Sequence, residues 1–149
     1  MSDIDEEIAV NDVVVEIVVV LGAHIDPSAP ELIAWNGSAE LARELINAVP
    51  LLAKSTHITL LQVDNLEPGS TELTEAEACL RLRGIGATTK TTKSGKASVS
   101  KLIEEESTAM GAGYVVMGAY THNPCRELVL GGVTQHTITH TKLPVLLAH

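Results

Sequence analysis

From about residue 31 onward, the apolar positions of this chain fall into two alternating patterns. Short unbroken apolar runs occur at Leu32-Ile33-Ala34-Trp35, Ile58 to Val63, Tyr114-Val115-Val116-Met117 and Leu143-Pro144-Val145-Leu146-Leu147. Runs of this length, rich in branched aliphatic residues, read as strands buried on both faces. Between them the apolar residues recur at helical spacing. Leu41, Leu45, Ala48, Val49 and Leu52 make one apolar face, and Ser38 stands where a helix N-cap belongs. Pro50 lies inside that helix and predicts a bend or an interruption. A polar turn through Asn65, Pro68 and Gly69 leads to a second predicted helix, Leu73 to Arg83, with Ala76 and Leu80 inward and Gly84 as its stop. Val99, Leu102, Ile103 and Met110 define a further amphipathic helix that runs to the breaker Gly111-Ala112-Gly113. The threonine-rich stretch Ala87 to Lys93 reads as a polar edge strand. Strands alternating with helices predict right-handed crossovers and a doubly wound α/β sheet, whose ligands sit outside the C-terminal strand ends.

Composition narrows the picture. The 149 residues suffice for one domain, and the 45% hydrophobic content is spread along the chain. The aromatic residues are Trp35, Tyr114 and Tyr120, so the core must be aliphatic. The longest apolar run, near Val13 to Leu21, is broken by Glu16 and falls short of the roughly 18–20 residues of a membrane span. Acidic residues in Met1 to Glu7 stand where a signal peptide carries base, so the expected protein is soluble and cytoplasmic, with no membrane partner. A net charge of −9 argues against nucleic acid, and Lys90, Lys93, Lys96 and Lys101 read as a solvated loop. Glu104-Glu105-Glu106 reads as a solvated helix face. Cys79 and Cys125 fit neither a disulfide framework nor a zinc site. His136 and His140 have the spacing of a metal pair on one helix face, but without a third ligand an exposed pair is the better reading.

Candidate chemistry lies in the closing third. Gly118 ends one predicted strand, Thr121 follows, and Gly131-Gly132-Val133-Thr134 stand where the next helix begins. A glycine-bearing loop entering a helix presents unpaired N–H groups and the positive end of the helix dipole, which suits a phosphate. The same glycines also serve as packing or capping devices in many folds. Phosphoryl transfer calls for a lysine cradle and a metal-binding carboxylate, and the loop has no G-x-x-x-x-G-K-[ST] pattern. Asp64 and Glu127 are the nearest carboxylates to the predicted ligand end, but their spacing marks neither as a metal ligand. Binding and signalling are therefore favoured over catalysis.

The segment Met117-Gly118-Ala119-Tyr120-Thr121-His122, with Arg126-Glu127-Leu128, Leu130-Gly131-Gly132-Val133-Thr134 and Pro144-Val145-Leu146-Leu147, resembles the universal stress protein family. Ala34-Trp35-Asn36-Gly37-Ser38 is similar to that family's first strand and turn, so the resemblance frames residues 31 to 149. It implies a three-layer, adenine-nucleotide alpha-hydrolase-like fold: a five-stranded parallel sheet in the order 3-2-1-4-5, usually dimeric. Some members bind ATP, with magnesium as its usual companion. The implied nucleotide site comprises Ala34, Trp35, Asn36, Val63, Met117, Gly118, Thr121, His122, Gly131, Gly132, Val133 and Thr134. Gly118 and Gly131 match two glycines of the family motif. Thr121 replaces the glycine between them, Gly132 replaces a Ser or Thr, and Asn36 replaces an acid that would repel phosphate. Three functions follow: a dimeric nucleotide-binding stress protein, a dimeric scaffold without nucleotide, or an adenylyl-transferring enzyme. The last would need a phosphate motif that Asn36-Gly37-Ser38 does not provide.

Residues 1–30 read as an N-terminal extension with one apolar strand, centred on Val13 to Ala23, outside the domain of residues 31–149. Val19-Val20-Leu21-Gly22-Ala23 echoes Val115-Val116-Met117-Gly118-Ala119, and the domain resembles the second repeat of tandem members. The extension is thus read as the remnant or substitute of a lost repeat's strand, covering a sheet edge in its own subunit or a partner's.

Overall fold

A computed structural model of the chain describes residues 6–10, 13–19, 25–118 and 143–148. Its strands are β1 (Glu6–Val10), β2 (Val13–Val19), β3 (Glu31–Ala34), β4 (Ile58–Val63), β5 (Thr88–Thr92), β6 (Tyr114–Gly118) and β7 (Val145–Ala148). Its helices are α1 (Ala39–Asn47), α2 (Val49–Leu52), α3 (Leu73–Arg81) and α4 (Val99–Met110). The seven strands of the described residues form one sheet in the order β1-β2-β7-β6-β3-β4-β5. The five from β3 to β7 are parallel wherever they pair. Numbered among themselves they run 3-2-1-4-5, the expected doubly wound order.

Alternation along the central strands sends side chains to two cores, as the period of two requires. Ile33, Leu60, Tyr114 and Val116 pack with Leu41 and Leu45 of α1, Leu51 and Leu52 of α2 and Leu80 of α3. Leu32, Leu61, Val115 and Met117 pack with Ile103 of α4 on the opposite face. Helices thus cover both faces, and the unbroken apolar runs are explained.

Local signals set the helix boundaries. Ser38 Oγ accepts the N–H of Leu41 at 3.2 Å, and Ser98 Oγ accepts that of Lys101 at 3.2 Å, so both helices begin at side-chain caps. The predicted interruption at Pro50 appears as a break at Ala48, where α1 ends and α2 starts with the proline in its first turn. Gly111, with φ 66°, closes α4 in the left-handed conformation. Strand β5 is polar and lies at one end of the sheet, as its threonines predicted. Among the described residues no helix is long and apolar enough to cross a membrane.

The N-terminal segment holds two strands where the sequence pattern predicted one. Beside the apolar β2, the acidic run Glu6–Val10 forms β1, paired antiparallel with β2 from Glu6↔Ile17 to Val10↔Val13. Such close sequence neighbours need only a tight turn to pair, so a modest apolar content suffices. Strand β2 in turn joins β7 antiparallel, through Val18↔Leu147 and Val19↔Leu146. The extension therefore occupies an edge of its own subunit's parallel sheet.

At the entry end of the central strands the apolar pattern is broken. Glu31, the first residue of β3, is completely buried beside its register partner Tyr114, the first residue of β6. A glutamate preceding an apolar run reads as a strand boundary, and nothing in the sequence pattern marked it as core.

Candidate functional site

The C-terminal ends of β3 and β6 meet the start of α1, and here the turn Asn36-Gly37-Ser38 is built by hydrogen bonds. Asn36 Oδ1 accepts the N–H of Ser38 at 3.0 Å, and Ser38 then caps α1. Gly37 takes φ 76°, and its carbonyl accepts the N–H of Thr71 at 2.9 Å. A Cβ at Gly37 would stand 2.5 Å from Ser70 Cβ, so both conformation and space require glycine there. Opposite, a Cβ on Gly118 would lie 2.7 Å from Asn36 Nδ2 and 3.7 Å from Ser38 Oγ. The two glycine-marked segments, far apart in sequence, are thus in contact, with the Asn36 amide against the Gly118 backbone.

Ala34 ends β3 and lies beside Met117 in β6 and Leu61 in β4. Trp35 is part of the core: its N–H donates to the Leu61 carbonyl at 2.8 Å, and its indole Nε1 donates to the Thr71 carbonyl at 3.0 Å. Val63, half-buried, packs at the edge of the α4-side core at the end of β4. Thr121, His122, Gly131, Gly132, Val133 and Thr134 lie outside the described residues, as do Tyr120, Cys125, Glu127, His136 and His140.

Asp64, noted in the sequence only as a nearby carboxylate, has a defined task. It follows β4 with φ 64°, a left-handed conformation that aspartate tolerates better than most residues. Its N–H donates to the Thr92 carbonyl at 2.8 Å, and its carboxylate accepts the Ser94 Oγ–H at 2.6 Å and the Ser94 N–H at 2.8 Å. The two bonds from Ser94, with a smaller contribution from the charge of Lys93, hold its carboxyl below the usual carboxylate range. The carboxylate thereby ties the end of β4 to the loop that leads into α4. Asn65, next in the chain, opens the predicted polar turn, but Asp64's partner Ser94 is visible only in three dimensions. No group of three metal-ligating side chains occurs among the described residues.

The fold is a doubly wound sheet with a five-stranded parallel core in the order 3-2-1-4-5 and a capped helix starting at the ends of its central strands. Solved universal stress proteins share it. One from Burkholderia pseudomallei is 20% identical with a TM-score of 0.57, the match covering 82% of this chain and 96% of that one. A universal stress protein from Archaeoglobus fulgidus in complex with dAMP is 15% identical with a TM-score of 0.55, covering 81% of this chain and 98% of its own. A universal stress protein in complex with cAMP is 12% identical with a TM-score of 0.54, covering 82% and 97%. At these identities the likeness establishes the fold. No protein-family model matches the chain, and no curated protein does.

Proposed function

We propose that this chain is a universal stress protein that binds an adenine nucleotide at the C-terminal ends of β3 and β6 and acts as a cytoplasmic homodimer in stress signalling. The observation that carries the reading is the contact of Asn36 with Gly118, which sets an amide, a residue without a side chain and the start of α1 at one point. Ligands of doubly wound sheets occupy this end. The complexes of two structural neighbours with dAMP and cAMP support adenine as the base. In this reading the backbone of Ala34 and Trp35, with Val63 and Met117, borders the base, and the Asn36 amide hydrogen-bonds base or ribose. Thr121, His122 and the run Gly131, Gly132, Val133 and Thr134 take the phosphates, with magnesium accompanying ATP. Residues 31–149 constitute the domain, and residues 1–30 an extension to it.

Isothermal titration with AMP, cAMP, ADP and ATP, with and without magnesium, tests the proposal. Saturable binding is expected for at least one of them, weakened about tenfold or more by Asn36→Ala, the loss of a hydrogen bond to a ligand. Absence of heat at millimolar ligand would overturn it and leave the scaffold reading.

A further inference from the structure

The entry ends of β3 and β6 hold a second polar feature, at the opposite end of these strands from the nucleotide site. Tyr114 Oη donates a hydrogen bond to Glu31 Oε2 at 2.7 Å, with both residues fully buried. Glu31 Oε1 is buried and has no hydrogen-bond partner among the described residues. The pair crosses the seam between the two central strands, where Glu31 and Tyr114 stand side by side in the parallel register. Such a carboxylate, with one oxygen unanswered, is costly to bury ionised, whereas a neutral carboxyl is far cheaper.

We propose that Glu31 and Tyr114 make the seam between the two central strands proton-dependent, tight while the Glu31 carboxyl is neutral and loosened when it ionises, because the Tyr114 bond, although stronger to a carboxylate, leaves the buried Oε1 charge unsolvated. Among the described residues, the groups around the pair offer no compensating positive charge. Asp26, on the segment leading into β3, adds negative charge that acts on Tyr114. His57, just before β4, is exposed and contributes its carbonyl, which accepts the Glu31 N–H at 2.8 Å. Helix α2, packed over this core, has no charged residue, and Lys54 beyond it is exposed. Burial pushes the Glu31 carboxyl up to about 8, with the Tyr114 hydrogen bond acting in the opposite direction. Ionisation thus falls within reach of physiological pH and places a charge at the foot of a ladder only four register pairs long, Glu31↔Tyr114 to Ala34↔Met117. Water entering to solvate the bare oxygen would separate the strands there.

The sign of the pH effect follows from proton linkage. The folded protein keeps a proton that the unfolded chain releases near 4.5, so this group stabilises most below that value. Its contribution falls as pH rises to about 8 and levels off above, where both states are ionised. Unfolding of the full chain is to be followed from pH 5 to 9.5, together with the fluorescence of Trp35, the single tryptophan, which adjoins the far end of β3. Relative to Glu31→Gln, the wild-type midpoint is expected to fall by about 5 °C or more between pH 5 and 8. Native wild-type Trp35 emission is expected to change near pH 8, and the variant's is not. Tyr114→Phe, which removes the bond favouring the ionised form, is expected to move that change to higher pH, a shift that mere packing loss would not produce. Carbon-13 titration of the glutamate carboxyls in the wild-type protein needs no variant to fold and is expected to show one carboxyl titrating near pH 8. The proposal is overturned if all glutamates titrate in the ordinary range, or if a folded Glu31→Gln variant follows the wild-type profiles.

Discussion

At the scale of single residues, the site depends on what is missing from Gly118. Its lack of a Cβ lets the Asn36 amide lie against β6 while Asn36 Oδ1 holds the Ser38 N–H. Gly118→Ala is therefore expected to displace the Asn36 side chain and its turn bond, at about 1–3 kcal/mol measured by denaturant unfolding. Asn36→Gly in the same chain should relieve most of that cost, so the double mutant should be clearly less destabilised than the sum of the singles. An additive result would show that the two residues do not touch. Asn36, Gly37 and Ser38 were legible in the sequence because turn chemistry and capping are local. Glu31 was not: whether a glutamate at a strand's start faces water or core depends on the neighbouring strand, and here that neighbour presents Tyr114.

Element by element, the sequence pattern carried far. The Pro50 break, the start of α4 at Val99 and its stop at Gly111 fall where local rules put them, because each rests on residues within a turn of one another. Strand ends shifted by one or two positions: β3 is Glu31–Ala34 where Leu32 to Trp35 was expected, and β7 is Val145–Ala148. Strand limits depend on hydrogen bonds to a neighbour, which a linear pattern does not contain. The clasp between β4 and the loop after β5 is of the same non-local kind, and pH reads it out. Because the bonds from Ser94 lower the folded-state carboxyl of Asp64 below its ordinary 3.8, the stability it adds is present above that value and lost as pH falls below it. Asp64→Asn keeps the left-handed turn but removes the charge, so acid titration of stability should be shallower below about pH 4 than in the wild type. Equal slopes would mean that Ser94 does not favour the ionised form.

For the molecule as a whole, the doubly wound parallel sheet followed from alternation and the handedness of crossovers, while the order of its five strands came only from the family resemblance. The antiparallel pair at the N-terminus was only half legible, since Glu6 to Val10 is acidic and gains its strand character by pairing with β2. This pair decides which edges the sheet presents: with β2 seated on β7, the outermost strands are β1 and β5. Deleting residues 1–19 uncovers the β7 edge. The shortened protein is expected to associate in a concentration-dependent way or lose solubility, as seen by sedimentation and light scattering. Unchanged mass and solubility would show that β2 does not protect that edge.

The pairing of Val18 with Leu147 and Val19 with Leu146 has a consequence in time as well as in space. It joins segments more than a hundred residues apart in sequence, so a long loop closes with it. On the ribosome β2 emerges more than a hundred residues before its β7 partner, so a valine-rich strand waits through the synthesis of the intervening chain for the edge it will cover. In that interval its close partner is β1, whose residues leave the tunnel a few positions before it. An early antiparallel pair would keep the nascent chain from sticking until the C-terminal strand arrives, giving the two-stranded extension a part in assembling the fold that its place in the finished sheet does not reveal.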